Sequence, residues 1–75
     1  MSIEKLISEV FGIDAATVRD ELAFDSIASW DSLTHMQLIT TLEDTYKVQL
    51  SGDEIADMRS VGAARAALRA HGVAV

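Results

Sequence analysis

The sequence predicts an all-α fold, a small four-helix bundle with three main helices, one short helix and a long first connection. Two observations predict this fold. Apolar residues recur at helical spacing in three stretches of the chain, and a residue suited to helix capping precedes each stretch. The 75 residues contain no proline, no low-complexity tract and no internal repeat, so we expect residues 1–75 to form a single domain.

The first predicted helix begins after Ser2, whose hydroxyl is suited to capping, and ends at Gly12. Its apolar face contains Ile3, Leu6, Ile7, Val10 and Phe11. Residues 13–30 then form a connection that is too long to be structureless in so small a domain, so we expect order within it. Asp14 is placed to cap a short turn there. The apolar anchors of this connection are expected to be Leu22, Phe24 and Ile27.

The second predicted helix begins after Asp31, which is well suited to the N-cap position. One apolar stripe of this helix is expected to face the core, with His35 at its head. That stripe contains Leu38, Ile39, Leu42 and Tyr46. A line along another face contains Ser32, Met36 and Thr40, with Glu43 and Asp44 further down.

A short third helix is predicted by a capping-box pattern in which Ser51 and Glu54 cap each other's backbone, and it ends near Met58. Ser60 caps the last predicted helix, which runs through residue 70 and is ended by Gly72. Its inner face is expected to contain Val61, Ala64, Ala67 and Leu68. Three arginines are expected on its outer face: Arg59, Arg65 and Arg69.

The composition narrows the functional classes. A formal net charge of −6 argues against nucleic acid and anionic membrane surfaces as partners and favours basic patches on other proteins. The absence of cysteine excludes disulfides, thiolate metal sites and a cysteine nucleophile. The N-terminus lacks the pattern of a signal peptide, and no stretch approaches the roughly 20 apolar residues that span a bilayer. We expect a cytoplasmic monomer, with little room for the pocket of an enzyme.

Asp31, Ser32 and His35 are neighbours on one predicted helical turn, which raises the possibility of a hydrolase triad. The sequence indicates no oxyanion hole and no water-excluding lid, and residues on one exposed turn rarely reach triad geometry. We therefore expect His35 to pack at the edge of the core or against Trp30.

Metal binding is also disfavoured by the sequence. Asp31 and His35 would supply only two ligands, and the later acidic cluster lacks the spacing of a calcium loop. That cluster consists of Asp53, Glu54 and Asp57. We expect no metal site.

The tripeptide Asp31-Ser32-Leu33 and its surroundings resemble the acyl carrier proteins, whose attachment motif is Asp-Ser-Leu at the start of the second helix. The resemblance continues through the apolar stripe of that helix and the short capped turn. It covers the chain from Ile3 to about Leu68, in order and with compatible spacing. The matching segments after the tripeptide are Leu38-Ile39, Leu42-Glu43 and Ser60-Val61-Gly62.

The resemblance implies that Ser32 carries 4′-phosphopantetheine, transferred from coenzyme A by a separate phosphopantetheinyl transferase that uses magnesium. The thiol of this arm would hold an acyl group as a thioester and present it to acyl-loading and acyl-processing enzymes. The protein itself would perform no catalysis. An imported thiol also agrees with the absence of cysteine from the sequence.

The resemblance further implies that one face of the second helix contacts partner enzymes. Its residues are Asp31, Leu33, Met36, Gln37, Thr40, Glu43 and Asp44. Ser29 and Trp30 stand where many family members have Gly and a small residue, and Thr34 and Gln37 replace frequent acids. We therefore expect partners in polyketide, fatty-acid-like or other specialised biosynthesis.

Two other interpretations stay open at this point. The same arm would serve an aminoacyl or peptidyl carrier, although the aspartate before the serine favours acyl cargo. A different class is an acidic helical adaptor without a cofactor, in which the Met36 face binds a partner helix.

Overall fold

The computed structural model describes residues 2–75, so that Met1 of the expected domain lies outside the described residues. Residues 2–75 form four α-helices: α1 (Ile3–Phe11), α2 (Ser32–Tyr46), α3 (Gly52–Asp57) and α4 (Val61–Ala70). Within residues 2–75 there is no β-strand, only an isolated bridge between Ala23 and Ser60. The predicted all-α bundle with one short helix is confirmed.

Each α-helix begins with a side-chain oxygen that accepts a hydrogen bond from a backbone N–H of the first turn. The N-cap residues are Ser2, Asp31, Ser51 and Ser60. The reciprocal box of Ser51 and Glu54 is also present. All four predicted caps are therefore confirmed, which shows how strongly local hydrogen bonding defines where these helices begin.

Two of the helices end in the left-handed region of backbone space. Gly12 closes α1 at φ 67°, as predicted for a glycine that pays no steric cost there. Lys47 closes α2 at φ 58°, although it has a side chain that disfavours this conformation. This second left-handed cap was not predicted from the sequence, because lysine is not a preferred residue at such a position.

The core is formed by the inner faces of the long helices together with anchors from the first connection. The predicted stripe of α2 is buried at Leu38, Ile39 and Leu42, while Tyr46 is half-buried. Phe24 of the connection is 0% exposed, and its ring centroid lies 5.7 Å from that of Phe11. The connection therefore contributes buried residues to the core together with the helices.

The first connection holds ordered structure, as expected from its length. It contains two 3₁₀ turns, Ala15–Thr17 and Phe24–Ser26, and Asp14 caps the first of them. The residues around the second turn bond to the start of α4. The Phe24 N–H donates to the Arg59 carbonyl (2.8 Å), and the Val61 N–H donates to the Leu22 carbonyl (3.0 Å).

Arg65 joins three parts of the fold. Its guanidinium pairs with the carboxylate of Glu4 in α1 and lies 3.0 Å from that of Asp20 in the first connection. The prediction that Arg65 lies on the outer face of the last helix did not anticipate these contacts, in which its side chain is only 17% exposed. Sequence spacing could not reveal partners that lie so far away along the chain.

Candidate functional site

The first turn of α2 is held by a reciprocal pair of hydrogen bonds. The Thr34 N–H donates to Asp31 Oδ1 (2.8 Å), and the Asp31 N–H donates to Thr34 Oγ1 (2.8 Å). The backbone N–H of Thr34 and its hydroxyl hold the pKa of the Asp31 carboxyl below its ordinary value. Asp31 is thus the predicted cap. The participation of Thr34 was missed, although its position three residues after the cap is the spacing of a capping box.

The loop before α2 is fastened to the end of α1. Ser29 donates its hydroxyl to the carbonyl of Phe11 (2.8 Å), and Thr34 Oγ1 lies 3.2 Å from the Ser29 carbonyl oxygen. These contacts give a structural role to two residues that depart from the sequence pattern of the family that the chain resembles. Ser29 and Thr34 fix the position at which α2 begins.

Ser32 is the first residue of α2, and its side chain is exposed. Within residues 2–75 its hydroxyl has no hydrogen-bond partner. A negatively charged group attached there would lie at the positive end of the helix dipole, although the neighbouring Asp31 carboxylate opposes this effect. The site therefore presents a freely accessible hydroxyl on a fixed helix start.

His35 does not act on Ser32, because both of its ring nitrogens already have partners. The Trp30 indole N–H lies 3.3 Å from Nδ1, and Nε2 lies 3.1 Å from the carbonyl oxygen of Ile55. Since the indole only donates and a carbonyl only accepts, Nε2 carries the proton and Nδ1 is the acceptor. With the ring so engaged, the hydrolase interpretation has no general base.

The ring of His35 also packs as the sequence predicted. Its centroid lies 5.9 Å from that of Trp30 and 6.2 Å from that of the buried Phe24. His35 is half-buried, so it lies at the edge of the core and against Trp30 at once. Through Ile55 it also joins α2 to α3.

A cavity of about 400 Å³ lies beside this histidine, between the first connection, α2 and the region of α3. Its wall includes Phe24, Trp30, His35, Ile55, Met58 and Arg59. Sequence reasoning missed this cavity and its lining because the residues come together only through tertiary packing. The cavity has the size of small-molecule pockets and is bounded by two residues that flank Ser32 in the chain.

The structure separates the predicted partner residues into two groups, one that lines a groove and one that does not. Leu33 is 70% exposed and Met36 is 48% exposed, and both line an open groove between α1 and α2 together with Gln37 and Thr40. The other three predicted partner residues lie outside the lining of this groove: Asp31, Glu43 and Asp44.

The two acids further along α2 differ in their surroundings. Asp44 is exposed, whereas Glu43 is half-buried and accepts a hydrogen bond from the Leu50 N–H (2.9 Å). The Glu43 carboxylate therefore holds the connector after α2. This structural role was not predicted from the sequence.

Within the part of the chain that the structure describes, no group of three or more His, Asp or Glu side chains is arranged to hold a metal ion. No helix among these residues is long and apolar enough to cross a membrane.

Comparison with known proteins gives a match to a family model that is described as a phosphopantetheine attachment site, over residues 2–68. The chain is 30% identical over 69 residues to an acyl carrier protein of Lactobacillus johnsonii, covering 92% of this chain and 86% of that protein. It is 32% identical over 60 residues to an acyl carrier protein of Chlamydia caviae, covering 80% of this chain and 78% of that protein. A meromycolate extension acyl carrier protein of Mycobacterium leprae is 32% identical over 60 residues, covering 80% of this chain and 52% of that protein.

Proposed function

Because this chain belongs to the acyl carrier protein family, we propose that it holds acyl intermediates as thioesters on a 4′-phosphopantetheine arm attached to Ser32. The cofactor of this family is 4′-phosphopantetheine. The observation that carries the assignment to Ser32 is its exposed, unpartnered hydroxyl at the first residue of α2, within the matched segment.

The residues around Ser32 fit an attached phosphodiester. The hydroxyl is accessible to a transferase, and the helix start is fixed by Asp31 and Thr34 rather than by the serine itself. In the proposed transfer, a bond forms between the Ser32 oxygen and phosphorus while the pyrophosphate bond of coenzyme A breaks. The serine proton passes to a base of the transferase, and the nucleotide half of coenzyme A leaves.

When bound, the cofactor supplies the thiol on which an acyl group is carried, which the cysteine-free chain itself lacks. The residues of this chain position the attachment point and catalyse nothing. The contacts of His35 agree with this proposal, because both of its ring nitrogens are hydrogen-bonded, one to Trp30 and one to Ile55.

We also propose that the cavity beside His35 receives the acyl chain of the cargo. Two of its wall residues, Trp30 and His35, lie two residues before and three residues after Ser32. Much of its wall is apolar, including Phe24, Ile55 and Met58. An aliphatic or aromatic chain would gain by leaving water for such a surface.

The proposed partners are a magnesium-dependent phosphopantetheinyl transferase and the enzymes that load and process the acyl group. We propose that they bind the exposed face of α2, around Leu33, Met36, Gln37 and Thr40. Thr34 is uncharged and takes part in the cap of the first turn, and Gln37 is also uncharged. Asp31 is therefore the acidic residue nearest to the proposed arm. The small number of acidic residues near Ser32 supports partners in polyketide, fatty-acid-like or other specialised biosynthesis. We further propose that residues 1–75 act as one monomeric, cytoplasmic carrier domain.

The attachment is tested by incubating the protein with coenzyme A, magnesium and a broad-specificity phosphopantetheinyl transferase and then recording the intact mass. We expect a gain of one phosphopantetheinyl group in the wild type and none in Ser32→Ala. Ser26→Ala, which removes another exposed serine hydroxyl, should be modified like the wild type. An unchanged wild-type mass with several transferases would contradict the proposal and favour the cofactor-free adaptor.

The cargo is tested with the modified protein. Acyl-loading and aminoacyl-loading enzymes are supplied in parallel, and the mass of the loaded product identifies the class that is accepted. Transfer of an acyl group alone supports the proposal, whereas transfer of an aminoacyl group alone would replace it with an aminoacyl carrier.

A further inference from the structure

Trp30 is held differently through its backbone and through its side chain. The Trp30 N–H donates to the Ile27 carbonyl (3.0 Å), and the residues on either side are fixed through the hydroxyl of Ser29 and the box of Asp31. Among residues 2–75, the indole N–H has one hydrogen-bond partner, His35 Nδ1 at 3.3 Å. The side chain can therefore rotate without moving the backbone that positions Ser32.

His35 is the fixed member of this pair. Its Nε2 donates to the Ile55 carbonyl of α3, and its ring contacts Phe24, which is 0% exposed. Breaking the bond to Trp30 leaves both of these contacts in place. Movement at the cavity wall is thus expected at Trp30, which is already 36% exposed.

Resting on the proposed attachment at Ser32, we propose that the Trp30 side chain is a lid of the cavity that selects its cargo by length. The indole closes against His35 when the arm is empty or carries a short polar acyl group. It moves outward when an apolar acyl chain from Ser32 enters the space between Phe24, Ile55 and Met58.

The size of the two opposing effects sets the length at which the lid opens. Loss of one neutral hydrogen bond and of the edge-on ring contact with His35 disfavours the open lid by about thirtyfold in its equilibrium constant. Each methylene that is buried favours chain entry by about fourfold. A chain that buries three or more methylenes therefore outweighs both contacts with His35, whereas an acetyl or butyryl group does not.

The lid is tested by fluorescence, since Trp30 is the only tryptophan in the sequence. Ser32 is loaded from acetyl-, butyryl-, hexanoyl- and octanoyl-coenzyme A by the transferase, and intact mass verifies each product. We expect the emission maximum and acrylamide quenching of the acetyl and butyryl forms to match those of the unloaded protein. The hexanoyl and octanoyl forms should show red-shifted emission and stronger quenching.

Two variants of His35 distinguish a lid role of Trp30 from a purely structural role. A glutamine amide has an NH2 donor group and a carbonyl acceptor and so can replace both roles of the neutral imidazole with its proton on Nε2, whereas phenylalanine has neither. We therefore expect His35→Phe to have red-shifted emission without cargo and His35→Gln to restore the wild-type emission and its dependence on chain length. Circular dichroism verifies that both variants are folded.

The outcomes separate the lid from the function on which it rests. If no transferase modifies Ser32, the proposed function fails and the lid fails with it. If the octanoyl form is verified by mass but its emission and quenching equal those of the unloaded protein, the attachment stands and the lid is overturned.

Discussion

The first turn of α2 and the middle of the same helix are stabilised in different ways. In the first turn, Ser32 and Leu33 are exposed, and the structure depends on short-range hydrogen bonds of Asp31. In the middle, Leu38 and Leu42 are both 0% exposed and pack into the core. The oxygen atom of Ser32 therefore lies in solvent, outside the packing that holds the helix.

The far end of α2 resembles its beginning more than its middle. Glu43 accepts a hydrogen bond from the Leu50 N–H, and Lys47 adopts a left-handed cap. Both are local arrangements around a core segment that depends on long-range contacts. Stability is thus concentrated in the middle of the helix, and the proposed attachment residue Ser32 lies at an end that contributes little to burial.

The largest expected contrast lies between two leucines of this one helix. Leu42→Ala should lower the free energy of unfolding by about 2–5 kcal/mol, because it removes a fully buried side chain and leaves a cavity. Leu33→Ala should change it by less than about 0.5 kcal/mol, because that side chain is 70% exposed. Urea denaturation of both variants measures the difference. Equal losses of stability at the two positions would contradict the proposed difference between the first turn and the middle of α2.

The next effect concerns the acids at the far end of α2. Glu43→Ala should cost about 1–3 kcal/mol, since the Leu50 N–H loses its acceptor and Leu50 is only 6% exposed. Asp44→Ala is the matched control, because Asp44 is exposed and should leave unfolding nearly unchanged. Glu43→Gln keeps an acceptor oxygen and should recover most of the stability. Indistinguishable Glu43→Ala and Asp44→Ala proteins would argue for a purely surface role of both acids.

The same distinction between local and long-range contacts explains what the sequence could and could not predict. The caps at Ser2, Asp14 and Asp31 were predictable because each oxygen bonds to an N–H two or three residues away. The bond from Ser29 to Phe11 joins residues 18 positions apart, and the pair of Arg65 with Glu4 spans 61 positions. No local sequence pattern predicts contacts between residues that are so far apart along the chain.

For the site, the sequence predicted the packing of His35 against Trp30 but not the cavity, and the attachment at Ser32 stays a prediction. Ser32 and Asp31 are marked by a motif at a helix start, and Trp30 is close to His35 along the chain. The Ile55 carbonyl joins His35 from 20 residues away, after the chain has turned into α3. The cavity exists only once these elements are packed, so its lining could not be read from spacing.

A smaller effect is expected at the left-handed cap of α2. Lys47→Gly should raise the free energy of unfolding by about 0.5–1 kcal/mol, because glycine adopts φ 58° without the steric cost that a side chain imposes. Lys47→Ala is the control, since it removes the charge but keeps the β-carbon. Thermal unfolding of the three proteins measures the change. A gain in the alanine variant equal to that of the glycine variant would assign the effect to charge instead.

The smallest effect is a dependence on pH at the exposed first turn of α2. The pKa of the Asp31 carboxyl is lowered in the folded protein by the hydrogen bonds of Thr34, so folding favours its ionised form. This contribution is fully present above the ordinary aspartate pKa, about 3.9, and is lost as the pH falls through the lower folded-state value. Asp31→Asn keeps an acceptor oxygen for Thr34 but cannot titrate.

The difference in unfolding free energy between wild type and Asp31→Asn should therefore be constant near neutral pH and shrink only in the acid range. The comparison isolates Asp31, since the carboxyl of Glu54 also has a lowered pKa and contributes equally to both proteins. Urea denaturation at a series of pH values measures it, and solvent screening keeps the effect modest. A difference that is the same at every pH would mean that the charge of Asp31 does not stabilise the helix start. The cap would then depend on hydrogen-bond geometry alone, as it does for the asparagine variant.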